Sequence, residues 1–213
     1  MRVAERGKRA LGVLVSGRGS NLQAIIDAVE AGALDADIKV VLSNLPDAYG
    51  LERARKHGIS TAVVSHRKFR RDREGFERAI CDALDEHGVH YVVLAGFMRI
   101  LSPWFIERYH HRIINIHPAL LPSFPGLHGQ QQAFDYGVKF SGATVHFVDA
   151  SVDGGPIIAQ AVVPALDDDD SDSLAARILE QEHILFPQAL SLVVDGRLSV
   201  EGRRVRVLSA EKE

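Results

Sequence analysis

The sequence predicts an α/β protein, a single doubly wound domain built on a mostly parallel sheet, and three observations carry that prediction. Short apolar runs alternate with segments of helical period along most of the chain. The early runs are β-branched and apolar on both faces, the pattern of strands covered by helices on each side. No internal repeat and no Pro/Gly/Ser-rich linker divides the 213 residues, a length that suits one core. Ligands of such a sheet lie beyond the carboxyl ends of its strands.

The elements follow in order. Residues 1–9 read as an N-terminal extension with Arg2, Arg6, Lys8 and Arg9 and no hydrophobic stretch of a secretory signal, so the domain runs over 10–213. Seven strands are expected, over 11–15, 38–42, 61–64, 91–95, 113–117, 143–148 and 157–163. Between the first two, Leu22, Ile25, Ile26 and Val29 recur at i, i+3, i+4 and i+7, the stripe of an amphipathic helix. Further helices are expected over 51–57 and 76–87, the second anchored by Phe76, Ile80 and Leu84. Ser102-Pro103 sets an N-cap residue before a proline at the first helical position. Leu174, Ile178 and Leu185 mark a long C-terminal helix with its N-cap among Ser171, Asp172 and Ser173. The aspartates over 167–170 read as a solvated loop that adds negative charge to that helix start. The tail over 198–208 reads as a short hairpin around Glu201-Gly202.

Composition excludes several functions. With 46% hydrophobic and 25% charged residues the chain is globular rather than disordered. A net charge of −3 argues against a nucleic-acid partner. Cys81 is the single cysteine, so no intramolecular disulfide and no cysteine metal cluster can form, and its neighbours read as a helix interior. No apolar run approaches the roughly 20 residues that span a bilayer, which leaves the cytoplasm as the expected compartment and no membrane as a partner.

Ser16-Gly17-Arg18-Gly19-Ser20-Asn21-Leu22 sits between the first strand and the first helix. Glycines let the backbone approach a ligand, and a helix start offers free N–H groups and partial positive charge, a combination that binds phosphate. Leu22 replaces the third glycine of the dinucleotide fingerprint, the second strand ends in Ser43-Asn44 rather than an acid, and a Walker lysine is missing. The loop therefore suggests a monophosphate or ribose phosphate.

Ile113-Ile114-Asn115-Ile116-His117-Pro118 is the most informative stretch. Strand period two points Asn115 and His117 to one face and the isoleucines to the other. A polar pair on an apolar strand is costly to bury without partners. Pro118 holds His117 extended, and the proline-rich loop that follows, Leu120-Leu121-Pro122-Ser123-Phe124-Pro125-Gly126, is stiff enough to keep an amide and an imidazole in register. The matching acid is Asp153, in the tight loop Ser151-Val152-Asp153-Gly154-Gly155-Pro156. A carboxylate beside an imidazole favours imidazolium, a general acid near neutral pH. Thr144 and His146 share a strand face and are candidates for supporting positions. No Ser or Cys lies in an elbow-like motif and no His/Asp/Glu spacing matches a metal site. Amide, imidazole and carboxylate together suit stabilisation of a tetrahedral oxyanion, in acyl transfer or in hydrolysis.

The set Gly17 to Ile25, Leu94 to Leu101, Asn115-Ile116-His117-Pro118 with Leu120-Leu121-Pro122, Asp153-Gly154-Gly155-Pro156 and Gln181-Glu182-His183 resembles the folate-dependent formyltransferases over about residues 10 to 196. The Gly-Ser-Asn loop and the compact length resemble the branch of that family that formylates glycinamide ribonucleotide in purine synthesis. The resemblance implies a seven-stranded, mostly parallel sheet with a Rossmann-like phosphate-binding half. It implies 10-formyltetrahydrofolate as co-substrate, glycinamide ribonucleotide as acceptor, no metal, no tightly bound cofactor, and a monomer or homodimer. On the matching positions, Gly19, Ser20 and Asn21 would hold the phosphate and Glu182 the ribose or glycinamide end. Met98, Arg99, Ile100 and Leu101 would line the folate pocket, Asp149, Ala150, Ser151 and Val152 would form its other wall, and Arg73 would lie near the glutamate tail. Asn115 would bind the formyl oxygen, His117 would act as the acid, and Asp153 would favour its charged form and relay protons. Arg18 occupies a variable position of the glycine loop, where it would add charge near the phosphate, and the resemblance assigns no role to residues 129–132. A formyltetrahydrofolate deformylase with the same three residues is expected to carry an extra N-terminal domain, and a methionyl-tRNA formyltransferase a basic C-terminal one. A non-catalytic ribonucleotide-binding module would keep the glycine loop without the three polar residues.

Overall fold

A computed structural model describes residues 8–209. Most of the expected N-terminal extension, residues 1–7, lies outside the described residues, and Arg9 already belongs to the first strand. In chain order the elements are β1 (Arg9–Val15), α1 (Ser20–Glu30), β2 (Ala36–Ser43), α2 (Tyr49–Lys56), β3 (Thr61–Val63), α3 (His66–Phe69), α4 (Arg73–Glu86), β4 (Tyr91–Leu94), α5 (Pro103–Arg108), β5 (Ile113–His117), α6 (Gly129–Tyr136), β6 (Phe140–Phe147), β7 (Ile157–Pro164), α7 (Ser171–Val194), β8 (Leu198–Glu201) and β9 (Arg204–Val207).

One sheet runs in the order β3-β2-β1-β4-β5-β6-β7-β9-β8. The expected α/β class and mostly parallel sheet hold: β3, β2, β1, β4 and β5 pair in parallel, while β6 runs antiparallel to both β5 and β7. The count of seven strands is corrected to nine among the described residues. The tail hairpin forms as expected, but β9 also joins β7 through the single pair Ile157↔Arg204. Its strands are short and mostly polar on their open side, so nothing in their pattern announces that they extend the sheet.

The chain steps outward from β1 to β3 and returns to place β4 on the other side of β1. That reversal opens a crevice at the carboxyl ends of β1 and β4, where an open α/β sheet binds ligands. Alternation along the strands splits the core: Leu11, Val13 and Val15 pack with Ile25 and Phe186 on one face, and Leu14 packs with Ile80 and Phe105 on the other. Cys81 lies in the second cluster, where burial pushes its thiol up to about 11, and it serves as a small hydrophobe.

Helix starts show local corrections. Ser102 caps α5 as expected, accepting from the Phe105 N–H. The α7 cap is Asp170 rather than any of residues 171–173: Asp170 accepts from the Ser173 N–H at 2.7 Å, and the Ser173 hydroxyl accepts from the Asp170 N–H at 2.9 Å. Asp169 is not a solvated loop residue either, because its side chain is buried against a forked pair of bonds from Arg177 that holds its carboxyl well below the usual range.

Candidate active site

The site begins at the carboxyl end of β5. Antiparallel register sets Asn115 opposite His146 and His117 opposite Thr144, so four polar side chains meet across one strand pair. Thr144 is fully buried; its hydroxyl donates to the Ala119 carbonyl at 2.7 Å and accepts from the Leu121 N–H at 3.1 Å and Gln160 Nε2 at 3.0 Å. This braces the Pro-rich loop against β6, the strand paired with the one that carries His117, the supporting position expected of Thr144.

Asp153 comes from the turn between β6 and β7. A side chain at Gly155 would put its Cβ 1.8 Å from the Phe147 carbonyl oxygen, so the turn closes only with glycine there. Asp153 itself has φ +49°, a left-handed conformation that aspartate tolerates and that is concentrated at functional sites. Its carboxylate stands 3.3 Å from His117 Nδ1 and 3.8 Å from His146 Nε2, and accepts from the Gly126 N–H at 2.7 Å. The acidic turn is thereby tied to the Pro-rich loop.

The two imidazoles play different parts. His117 is 4% exposed, and its Nε2 donates to the Phe124 carbonyl at 2.8 Å. A carbonyl only accepts, so Nδ1 is the nitrogen left to face Asp153, and both nitrogens meet acceptors at once only in the imidazolium. Burial pushes His146 down from its ordinary value and keeps it neutral. Its Nδ1 donates to the Phe147 carbonyl at 2.9 Å, which leaves Nε2 to accept from Asn115 Nδ2 at 3.2 Å. His146 thus sets which end of the Asn115 amide faces the site, and the second N–H of that amide stays available.

These groups open on a cleft of about 640 Å³. Met98, Arg99, Ile100 and Leu101 form one wall, Asp149, Ala150, Ser151 and Val152 the other, with Arg73 also on its lining. The structure therefore gathers every residue expected at the folate pocket around Asn115, His117 and Asp153. Met98 and Ile100 are 62% and 71% exposed, apolar surface of the kind that a flat ring system covers.

The glycine loop makes a second, separate depression. Gly19 caps α1 with φ +69°, and a Cβ there would lie 2.7 Å from Gly50 Cα. No side chain among the described residues caps this helix, so Ser20 and Asn21 are not mere caps and the first-turn N–H groups remain open to an anion. Asn21 Nδ2 donates to Glu182 Oε2 at 2.8 Å across the α1–α7 contact. Glu182 is 5% exposed, and burial pushes its carboxyl up to about 7 against the opposing pull of that bond. Ser20 opens on a groove of about 360 Å³ shared with Arg53 and His183. Arg53 Nε holds the loop by donating to the Arg18 carbonyl at 2.9 Å, so it is the Arg18 backbone that is engaged here. The four residues expected at the phosphate and ribose do not line the large cleft. Ser16 joins the two regions, its hydroxyl accepting from the Met98 N–H at 2.8 Å and donating to Asn44 Oδ1 at 2.6 Å.

Sequence reasoning missed Ser16, Asn44, Phe124, Gly126 and Glu77. The spacing of Arg73 and Glu77, an i,i+4 pair on one helix, was the one available signal for Glu77. It also left residues 129–132 without a structure; they open α6, whose Gly129 packs close to His117 Nε2.

A formyl transferase family model matches residues 9–190, and the chain belongs to that family. Within it the chain is similar to the phosphoribosylglycinamide formyltransferase of Escherichia coli, 47% identical over 188 residues that make up 88% of each protein. It is 50% identical over 196 residues to the trifunctional purine biosynthetic protein adenosine-3 of Drosophila melanogaster, a match that takes in 91% of this chain but 14% of that protein. Among solved structures, glycinamide ribonucleotide transformylase 1 from Symbiobacterium toebii superposes with a TM-score of 0.94 at 45% identity, covering 98% of this chain and 99% of the other. No helix among the described residues is long and apolar enough to cross a membrane.

Proposed function

We propose that this protein transfers the formyl group of 10-formyltetrahydrofolate to the amine of phosphoribosylglycinamide, a step of purine biosynthesis. The observation that carries the reading is the meeting of Asn115, His117 and Asp153 at one end of a cleft with the apolar wall 98–101. The folate occupies that cleft between the walls 98–101 and 149–152, with Arg73 toward its glutamate end. Gly19, Ser20 and Asn21 take the phosphate, and Glu182 the ribose or glycinamide end.

The amine nitrogen attacks the formyl carbon, forming a C–N bond and a tetrahedral oxyanion. The free N–H of Asn115 and the His117 imidazolium stabilise that oxygen, in a site where such donors are already in place before charge develops. Collapse breaks the bond to N10 of the folate, which leaves with a proton from His117. Asp153 takes up the proton that the attacking amine sheds and hands it to His117 Nδ1 once N10 has left, so protons balance over the turnover. No metal enters these steps. The reading places small molecules as the partners, with neither nucleic acid nor membrane, a cytoplasmic enzyme, and a monomer or homodimer.

The test is to incubate the purified protein with 10-formyltetrahydrofolate, with and without phosphoribosylglycinamide, and follow tetrahydrofolate release. Release that depends on the amine is the expected result. Release without it makes the protein a hydrolase, and no release under either condition reduces it to a binding module.

A further inference from the structure

Glu77 stands on α4 and does not line the cleft, yet its contacts lead into it. The residue is 1% exposed, and a carboxylate so placed is costly unless both oxygens have partners. Oε1 accepts from the Ser102 N–H at 2.7 Å and from Arg73 Nε at 3.3 Å, and Oε2 accepts from the Ser102 hydroxyl. Arg73 continues the chain, donating from Nη2 to the Ile100 carbonyl at 2.7 Å. One carboxylate therefore fixes the wall 98–101 at Ser102 directly and at Ile100 through Arg73, while Ser16 holds it at Met98. Leu101 packs into the second core cluster, but the exposed Met98 and Ile100 side chains have little packing, so the backbone at those two positions is held by hydrogen bonds. The same contacts orient Arg73, whose side chain is half exposed and whose Nη1 has no protein partner among the described residues.

We propose that Glu77 is a positioning residue for the folate cleft, holding the Arg73 guanidinium and the 98–101 wall in the arrangement that the folate meets. The inference rests on the proposed function for the identity of the ligand. It differs from a purely structural role, capping α5 through Ser102, in what it does to the two substrates.

Glu77→Gln keeps the shape and removes the charge. It is expected to raise KM for 10-formyltetrahydrofolate roughly tenfold, the scale of a lost charge-assisted hydrogen bond, with kcat and KM for phosphoribosylglycinamide within about twofold of wild type. Direct titration with tetrahydrofolate should show the same loss without turnover. Added to Arg73→Gln, the substitution should weaken folate binding less than additively, because part of its effect runs through that arginine. Should Glu77→Gln not fold, Glu77→Asp keeps the charge, shortens the reach, and is expected to give the same selective rise at smaller size. Equal changes in both KM values, a fall in kcat alone, or full additivity with Arg73→Gln would overturn the proposal. Wild-type protein that binds tetrahydrofolate but transfers nothing would defeat the functional reading while leaving Glu77 testable by titration; wild-type protein that binds no folate would defeat both.

Discussion

The cleft at the end of β5 and the glycine loop at the start of α1 both sit on strand ends, yet they treat buried polar groups in opposite ways. At the reacting end of the cleft each of the three groups has its partner in the protein: His117 lies between Phe124 and Asp153, Asn115 leans on neutral His146, and Asp153 is held by Gly126. Only Gln130 Oε1, farther along the same lining, is buried without a partner among the described residues. At the loop, Asn21 Oδ1 is buried with no partner among the described residues, and Glu182 is buried behind one bond that leaves its carboxyl near 7. The first region is wired before any ligand arrives, as stabilisation of a developing charge requires. The second carries unmet hydrogen-bonding demand, which a polar ligand satisfies and a ligand lacking the matching groups does not.

The contrast is most easily broken at His117. His117→Ala should lower kcat by about 10²–10⁴-fold, the range of general acid–base catalysis, while KM for both substrates changes by only a few-fold. Steady-state kinetics decide it. Turnover close to wild type with a raised KM would make His117 a binding residue and the cleft no better wired than the loop.

How much of this was legible follows from the range of the interactions. Asn115 and His117 could be read because strand period two is local, and the glycine loop because strand, turn and helix are contiguous. Asp153 was legible as a residue type in a tight turn, but its distance to His117 depends on two antiparallel pairings that no local pattern states. Only the i,i+4 spacing to Arg73 hinted at Glu77, because its other partner, Ser102, is 25 residues away. The helix α6 escaped because it buries only Gly129 and Ala133 and so has no apolar stripe. The docking of the tail hairpin on β7 rests on one register pair, too little to shape a sequence pattern.

The glycine-loop half of the comparison is sharpened by pH. The folded Glu182 carboxyl lies near 7, above its ordinary value of 4.5, so between those values the native state holds a proton that the unfolded state has lost. Stability contributed by this group therefore falls as pH rises through that window, and the loss, about 3 kcal/mol, is complete above it. Glu182→Gln cannot ionise and should remove this slope. Urea unfolding should find the variant close to wild type at pH 5 and more stable by up to about 3 kcal/mol at pH 8, with weaker binding of phosphoribosylglycinamide. Identical pH slopes in the two proteins would mean that Glu182 is not held in a protonated, partner-poor site.

A smaller effect tests whether the wiring of the cleft extends to its supports. Thr144→Val keeps the side-chain shape and deletes a hydroxyl that bonds Ala119, Leu121 and Gln160. Removing it leaves the Ala119 carbonyl and the Leu121 N–H buried without that partner, at a cost of about 1–3 kcal/mol that urea unfolding would register. Because the hydroxyl faces the loop rather than the reacting groups, kcat should fall no more than about tenfold, through looser placement of His117. A loss of turnover as large as that of His117→Ala would show that Thr144 takes part in the chemistry, and the boundary between reacting groups and braces would have to move one strand outward, from β5 to β6.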